Sequence, residues 1–319
     1  MNIKKFLEVS EKETFKRIFN FKIYYHKHPK INKDNPILKI KNKITDDETF
    51  FNLKRIQYVL KKKKSKCSFC NWKKDTIVSN IVLNKNSEKK SWIIVDNLYP
   101  YDLVHSLLIY KKHDIKKFNS KILEELLERS LEWFNFYLKQ NKKLLYPILG
   151  INFGKNAGAS LSHPHFHILI SKEPYSFEKK LIKNKNKYFK KFKKDYFEDY
   201  FHVAKSLKLG FKIKDLKIFA TLTSPKGFQV YALFKKLKSF FLLNKIFNLF
   251  IKYELAFNFV FLPSFENNKH RKENLAVFLI RNKNKFVSSD FGFMEIFGSS
   301  IANFDPYLMF RKIRQSLKI

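Results

Sequence analysis

The sequence predicts an α+β fold built mainly on antiparallel sheet, with the order strand–strand–helix–strand–strand used twice along 319 residues. Two observations predict it. Short apolar runs bounded by polar turns read as strands, and a longer stretch with helical spacing stands in the middle of each half. Hydrophobic residues make up 45% of the chain and aromatic residues 17%, enough to bury substantial cores.

Residues 1–66 are basic and read as helical or irregular, ending in the run Lys61–Lys64, a solvated face. Trp92–Val95 and Ser106–Tyr110 read as strands on either side of Asp96-Asn97-Leu98-Tyr99-Pro100-Tyr101. Ser120 is a good helix N-cap. Behind it Ile122, Leu123, Leu126, Leu127 and Leu131 carry helical periodicity to about Lys139. Tyr146–Phe153 and His165–Ser171 then form a strand pair around a small-residue turn. Phe177–Leu207, rich in Lys and aromatics, reads as a helical linker on the surface. Lys217–Leu222 and Phe228–Phe234 read as strands, Leu242–Phe257 as a helix, and Phe257–Leu262 and Leu275–Ile280 as strands. The expected divisions are an N-terminal extension (1–66), a first unit (67–176), the linker (177–207) and a second unit (208–319).

Composition excludes several classes. With two cysteines no disulfide framework is available, which fits a reducing compartment. The N-terminus lacks the apolar run of a signal peptide, and charged residues interrupt Phe240–Leu262, so a membrane span is not expected. A cytoplasmic protein is the expectation. The formal net charge of +37 invites a nucleic-acid reading, but only seven of the 65 basic residues are Arg. Specific readers of bases lean on Arg for bidentate contacts. The charge therefore implies attraction for anionic substrates and salt-sensitive, non-specific nucleic-acid binding.

Chemistry concentrates in Asn152–Ser171. His163, His165 and His167 alternate, so on a strand all three imidazoles share one face while Phe166, Ile168 and Ile170 point to the other. Gly158-Ala159-Ser160 precedes them and can bring backbone N–H groups to an anion. A His row beside such a cradle points to phosphate chemistry. Cys67-Ser68-Phe69-Cys70 contains both cysteines of the chain, and two thiolates at that spacing can hold two corners of a tetrahedral zinc. His26, His28, His202 and His270 have no supporting context.

The stretch Asn152–His167, with its Asn-x-Gly-x-x-x-Gly-x-Ser context leading into His-Pro-His, resembles the active site of the histidine-triad (HIT) superfamily. It is most similar to the galactose-1-phosphate uridylyltransferase branch. The resemblance covers about residues 65–315, closely in the first half and loosely in the second, where Glu295–Gly298 and Asp305-Pro306 look like the branch's C-terminal segment. It implies two HIT-like units in tandem, the second degenerate because Asn274–Arg281 stands where a His row would be. It also implies that His113 and His163 complete the zinc site of Cys67 and Cys70; His105, close by in the sequence, is a weaker candidate for the fourth ligand. By the same resemblance His165 is the nucleophile forming a covalent nucleotidyl intermediate. Asn152, Gly158 and Ser160 would line the phosphates, and Asn97 either contacts the nucleoside or is simply a turn residue. The implied reaction is nucleotidyl exchange between nucleoside diphosphate sugars and sugar 1-phosphates, as in galactose metabolism.

His167 departs from the branch, which usually has Gln there. Histidine can protonate a leaving group near neutral pH, so a phosphorylase or hydrolase of dinucleoside polyphosphates or nucleoside-diphosphate hexoses stays open, with the same nucleophile. A HIT-like protein using its basic surface for nucleic acid is a further alternative. A homodimer is compatible with the sequence but not read from it.

Overall fold

The computed structural model describes residues 3–11, 15–16, 19–28, 31–42, 48–52, 67–78, 91–115, 118–207, 210–221, 228–252, 254–265, 268, 271–280, 293–296 and 299–301. The Lys61–Lys64 run, His270 and the tail beyond Ile301, with Asp305-Pro306, lie outside them. The architecture is α+β, and among the described residues every strand pairing but one is antiparallel.

The N-terminal segment differs from expectation. Phe19–His28 (β1), Ile31–Asn42 (β2) and Glu48–Asn52 (β3) are strands of a four-stranded sheet, alongside a short helix at Ile3–Ser10. Lysine and asparagine dilute the apolar alternation here, yet Ile37, Leu38 and Phe50 are at most 2% exposed. Pairing partners far along the chain, invisible to local periodicity, decide the outcome. The fourth strand, Ser299–Ile301, comes from near the C-terminus and runs parallel to β3, so the segment is built into the rest of the protein.

The main sheet has nine strands: Trp92–Asp96 (β4), Val104–Tyr110 (β5), Tyr146–Phe153 (β6), His165–Ser171 (β7), Gly210–Ile213 (β8), Leu216–Ala220 (β9), Phe228–Phe234 (β10), Phe257–Leu262 (β11) and Asn274–Ile280 (β12). Their spatial order is β4-β5-β7-β6-β11-β12-β10-β9-β8. The two halves meet where β6 and β11 pair antiparallel. One face carries Phe166, Ile168 and Ile170 of β7 and Phe257, Phe259 and Phe261 of β11. The helix Ser120–Gln140 covers it, burying Leu123, Leu126, Leu127, Trp133 and Phe134. That helix is capped by Asn119, whose Oδ1 accepts from the Ile122 N–H at 2.8 Å, so the cap falls one residue before Ser120.

The opposite face is the histidine face. Over the second half it carries Val260, Leu262, Leu275, Val277 and Leu279, packed in one cluster with Phe197, Phe201 and Ala204. The linker is therefore more than a surface helix. It breaks into Ser176–Phe192 and Tyr196–Ser206, with Lys193 in the left-handed region (φ 55°) and Asp195 capping the second helix. That second helix fills the face where the other half holds its histidines. The expected helix at Leu242–Phe257 is also shorter, a 3₁₀ stretch Leu237–Leu243 followed by a helix Asn244–Lys252.

One buried ion pair locks the linker to the sheet. Arg271 and Glu178 have side chains 5% and 3% exposed, and the guanidinium also donates to the carbonyl of Pro147 at 2.7 Å. Removing the arginine strands a buried carboxylate. Arg271→Ala should cost about 3–5 kcal/mol in denaturant unfolding, and an unchanged midpoint would show the pair to be energetically idle.

Candidate active site and metal centre

β7 enters the site through Pro164, whose carbonyl accepts from the Tyr110 N–H at 3.1 Å. In register, Ile109 faces His165 and Leu107 faces His167 on β5, while Gly150 faces His167 on β6. A side chain at Gly150 would collide with the ring of Phe293, because a Cβ there would lie 2.8 Å from it. His163, His165 and His167 are all at most 5% exposed.

Each of the three imidazoles is held differently. The Nδ1 of His165 lies 2.8 Å from the carbonyl oxygen of His163, so it carries the proton and donates. The Nε2 is left with its lone pair. Burial lowers the His165 pKa to about 4, so the ring is neutral at physiological pH. The ring of Phe69 packs edge-on against it at 5.1 Å.

His167 belongs to a chain of bonds. The Tyr101 N–H donates to His105 Nδ1 at 2.9 Å, which places the His105 proton on Nε2. That Nε2 lies 3.0 Å from His167 Nδ1, so His167 accepts there and keeps its own proton on Nε2. Tyr101 stacks on His167 with ring centroids 5.2 Å apart, and Phe293 lies against its ring at 5.1 Å. His105, weighed from sequence as a metal ligand, is instead the partner of His167.

Four ligand atoms gather at the other end of the row. Those of Cys67, Cys70, His113 and His163 lie within 4.8 Å of one another and could hold a metal ion. Cys67 Sγ and Cys70 Sγ lie 3.6 and 3.7 Å from His163 Nδ1, and Cys70 Sγ is 3.0 Å from His113 Nδ1. Ligands on one tetrahedral zinc stand about 3.4–3.8 Å apart, given its bond lengths. His163 Nε2 donates to the Tyr110 carbonyl at 2.6 Å, which leaves Nδ1 bare toward the two thiols. Burial lowers the pKa of His163, keeping it neutral as a ligand must be.

The turn before the histidines is a 3₁₀ turn Lys155–Ala157 between Gly154 (φ 87°) and Gly158 (φ 78°). Both backbones lie where side chains are disfavoured. The N–H groups of Gly158 and Ala159 are spent inside the turn, on the carbonyls of Lys155 and Gly154. Gly158 thus supplies conformation, and Ser160 beyond it is exposed. Asn97 is 7% exposed; its Oδ1 accepts from the Tyr99 N–H, and its Nδ2 lies 3.2 Å from His105 Nδ1. Both ends are engaged internally, as a turn residue's would be.

Sequence reading missed Tyr101, Phe69, Phe293 and Asn258 here. The last had one visible signal, a single polar residue in the apolar run Phe257–Leu262.

The fold has counterparts among known proteins. Residues 66–183 match the family described as scavenger mRNA decapping enzyme, C-terminal binding. No curated protein matches the chain in sequence. A solved uridylyltransferase shares 14% identity at a TM-score of 0.56, covering 77% of this chain and 87% of its own. A galactose-1-phosphate-uridylyltransferase-like protein from Arabidopsis thaliana shares 18% identity at 0.52, covering 77% and 90%. An ADP-glucose phosphorylase from Arabidopsis thaliana, solved with bound ADP-glucose, shares 15% identity at 0.53, covering 92% and 99%. The protein shares its fold with these uridylyltransferase-like and phosphorylase structures, and the match to the decapping-enzyme family is confined to residues 66–183. Among the described residues no helix is long and apolar enough to cross a membrane.

Proposed function

We propose that the protein is a nucleotidyltransferase that exchanges nucleoside monophosphate between nucleoside diphosphate sugars and sugar 1-phosphates through a covalent nucleotidyl-His165. One observation carries the proposal: His165 is a buried, neutral imidazole whose Nδ1–H is locked onto a backbone carbonyl, leaving the Nε2 lone pair to attack. In the first step Nε2 bonds to the α-phosphorus and the bridging P–O bond breaks, releasing sugar 1-phosphate. In the second an acceptor phosphate oxygen attacks the same phosphorus and the P–N bond breaks. In this reading Ser160 and the side-chain amide of Asn152 donate to the phosphate oxygens. The Nε2–H of His167 is a further donor, held by His105.

The four-ligand cluster suits Zn²⁺, since thiolate and imidazole donors select it over hard ions. Bound there, zinc would tie the Cys67–Cys70 turn to the residue that begins the histidine row.

Phosphorolysis is the second reading. It is favoured by the titratable donor at His167 and by the likeness to an ADP-glucose phosphorylase over nearly the whole chain. His167→Gln separates the two. The change should lower any phosphorolytic or hydrolytic discharge of the labelled enzyme while sparing transfer to sugar 1-phosphates. Identical partitioning in both proteins would reduce His167 to an orienting hydrogen-bond donor.

Intact-mass spectrometry after incubation with UDP-, GDP- and ADP-sugars and dinucleoside polyphosphates tests the proposal as a whole. A nucleoside-monophosphate adduct is expected with at least one donor. Turnover without any adduct would replace the covalent route by direct displacement.

A further inference from the structure

We infer that Asn258, from the half of the chain without a histidine row, is a positioning residue for the nucleotide phosphates. Its amide fixes which way Asn152 points and pins the adjoining turn at Ala157. This inference rests on the reading of Asn152 as a phosphate donor.

The position is unusual for its strand. β11 reads Phe-Asn-Phe-Val-Phe-Leu, and Asn258 is 0% exposed. A buried amide is costly unless its hydrogen-bonding groups are satisfied. In the strand pair that joins the two halves, Asn258 stands directly opposite Asn152. It shares its side of β11 with Val260 and Leu262, which pack in the cluster holding Leu169, two residues beyond His167 on β7. Asn258 therefore lies on the histidine face.

Its Nδ2 has two hydrogens, and both have a partner in the site. One goes to Asn152 Oδ1 at 2.9 Å and the other to the Ala157 carbonyl at 2.8 Å. Asn152 Oδ1 also accepts from the Phe293 N–H at 2.8 Å. Two donors converging on one oxygen settle the amide orientation: the carbonyl end faces the protein and the NH₂ end is left for a ligand. The opposite flip would set a carbonyl dipole against phosphate oxygens. The turn also lies close against the residue that precedes this strand, since a Cβ at Gly154 would come within 3.0 Å of Ala256. One side chain from the half without histidines thus orders two parts of the other half's phosphate site.

Calorimetric titration with UMP and with AMP tests this in wild type, Asn152→Ala, Asn258→Ser and the double variant. A serine hydroxyl is too short to reach both partners. Asn258→Ser should weaken nucleotide binding about tenfold in the wild-type background and by much less once Asn152 is already alanine, because the two act as a unit. A merely structural role would reduce the folded fraction without this non-additivity, so losses that simply add overturn the inference. Should the serine variant fail to fold, Asn258→Asp keeps the shape while replacing the donor by an acceptor, and the same non-additivity is expected. Wild type binding neither nucleotide also overturns it. An intact coupling in a protein that never forms a nucleotidyl adduct would instead refute the proposed reaction and leave the positioning role standing.

Discussion

Replacing His165 with alanine or glycine should abolish turnover, by several orders of magnitude, with the fold and the metal cluster preserved. Nucleophilic catalysis splits one difficult displacement into two, and without the nucleophile neither half-reaction proceeds. The three imidazoles of the row are bonded differently. His163 turns its Nδ1 to the two thiols and its Nε2 to a carbonyl, and His167 spends its Nδ1 on His105. Of the three, His165 is the one whose Nδ1 is bonded to a backbone carbonyl and whose Nε2 keeps its lone pair. In His165→Gly the vacated space should admit a nucleoside phosphorimidazolide, which brings its own imidazole on phosphorus. Transfer from that donor to a sugar 1-phosphate should then recover while the natural donor stays inert. Near wild-type turnover by His165→Ala would contradict the assignment.

The second large effect is on the metal. Protein purified without chelator should contain one zinc per chain, and Cys67→Ser should lose it together with much of the stability. At structural sites of this kind the apparent binding energy is on the order of 10 kcal/mol, and much of it is folding energy. The loss should also reach catalysis, because Phe69, between the two cysteines, packs against both His163 and His165. Metal analysis that finds no zinc in the wild-type protein would refute this part of the account, and thermal melting unaffected by chelator would show that the cluster is not a staple.

What the sequence disclosed, and what it withheld, follows from the range of the interactions. The alternation of His163, His165 and His167 is a local property of a strand, so their common face could be read directly. The gathering of Cys67 and Cys70 with His113 and His163 was legible through family resemblance, since spacing alone places only the two cysteines. The N-terminal sheet was not, because Glu48–Phe50 pairs with Ser299–Ile301, some 250 residues away. His105 was misjudged for a similar reason. Its neighbourhood in sequence suggests the nearby metal ligands, while its bond runs across the β5–β7 pair to His167. The helix cap moved by one residue because Asn119 and Ser120 are both good caps and only backbone geometry chooses between them. The roles of Asn258 and Phe293 depend on docking the second half and the C-terminal segment onto the first, which no local pattern encodes.

The central claim is that a single imidazole, His165, carries the nucleotide between half-reactions. Peptide mapping of the enzyme trapped after reaction with a nucleotide sugar, at alkaline pH where a phosphoramidate survives, tests this most directly. The account predicts one nucleoside monophosphate on the peptide that contains Asn152–Ser171, with fragment ions placing it on His165. An adduct on His163 or His167 would contradict the account.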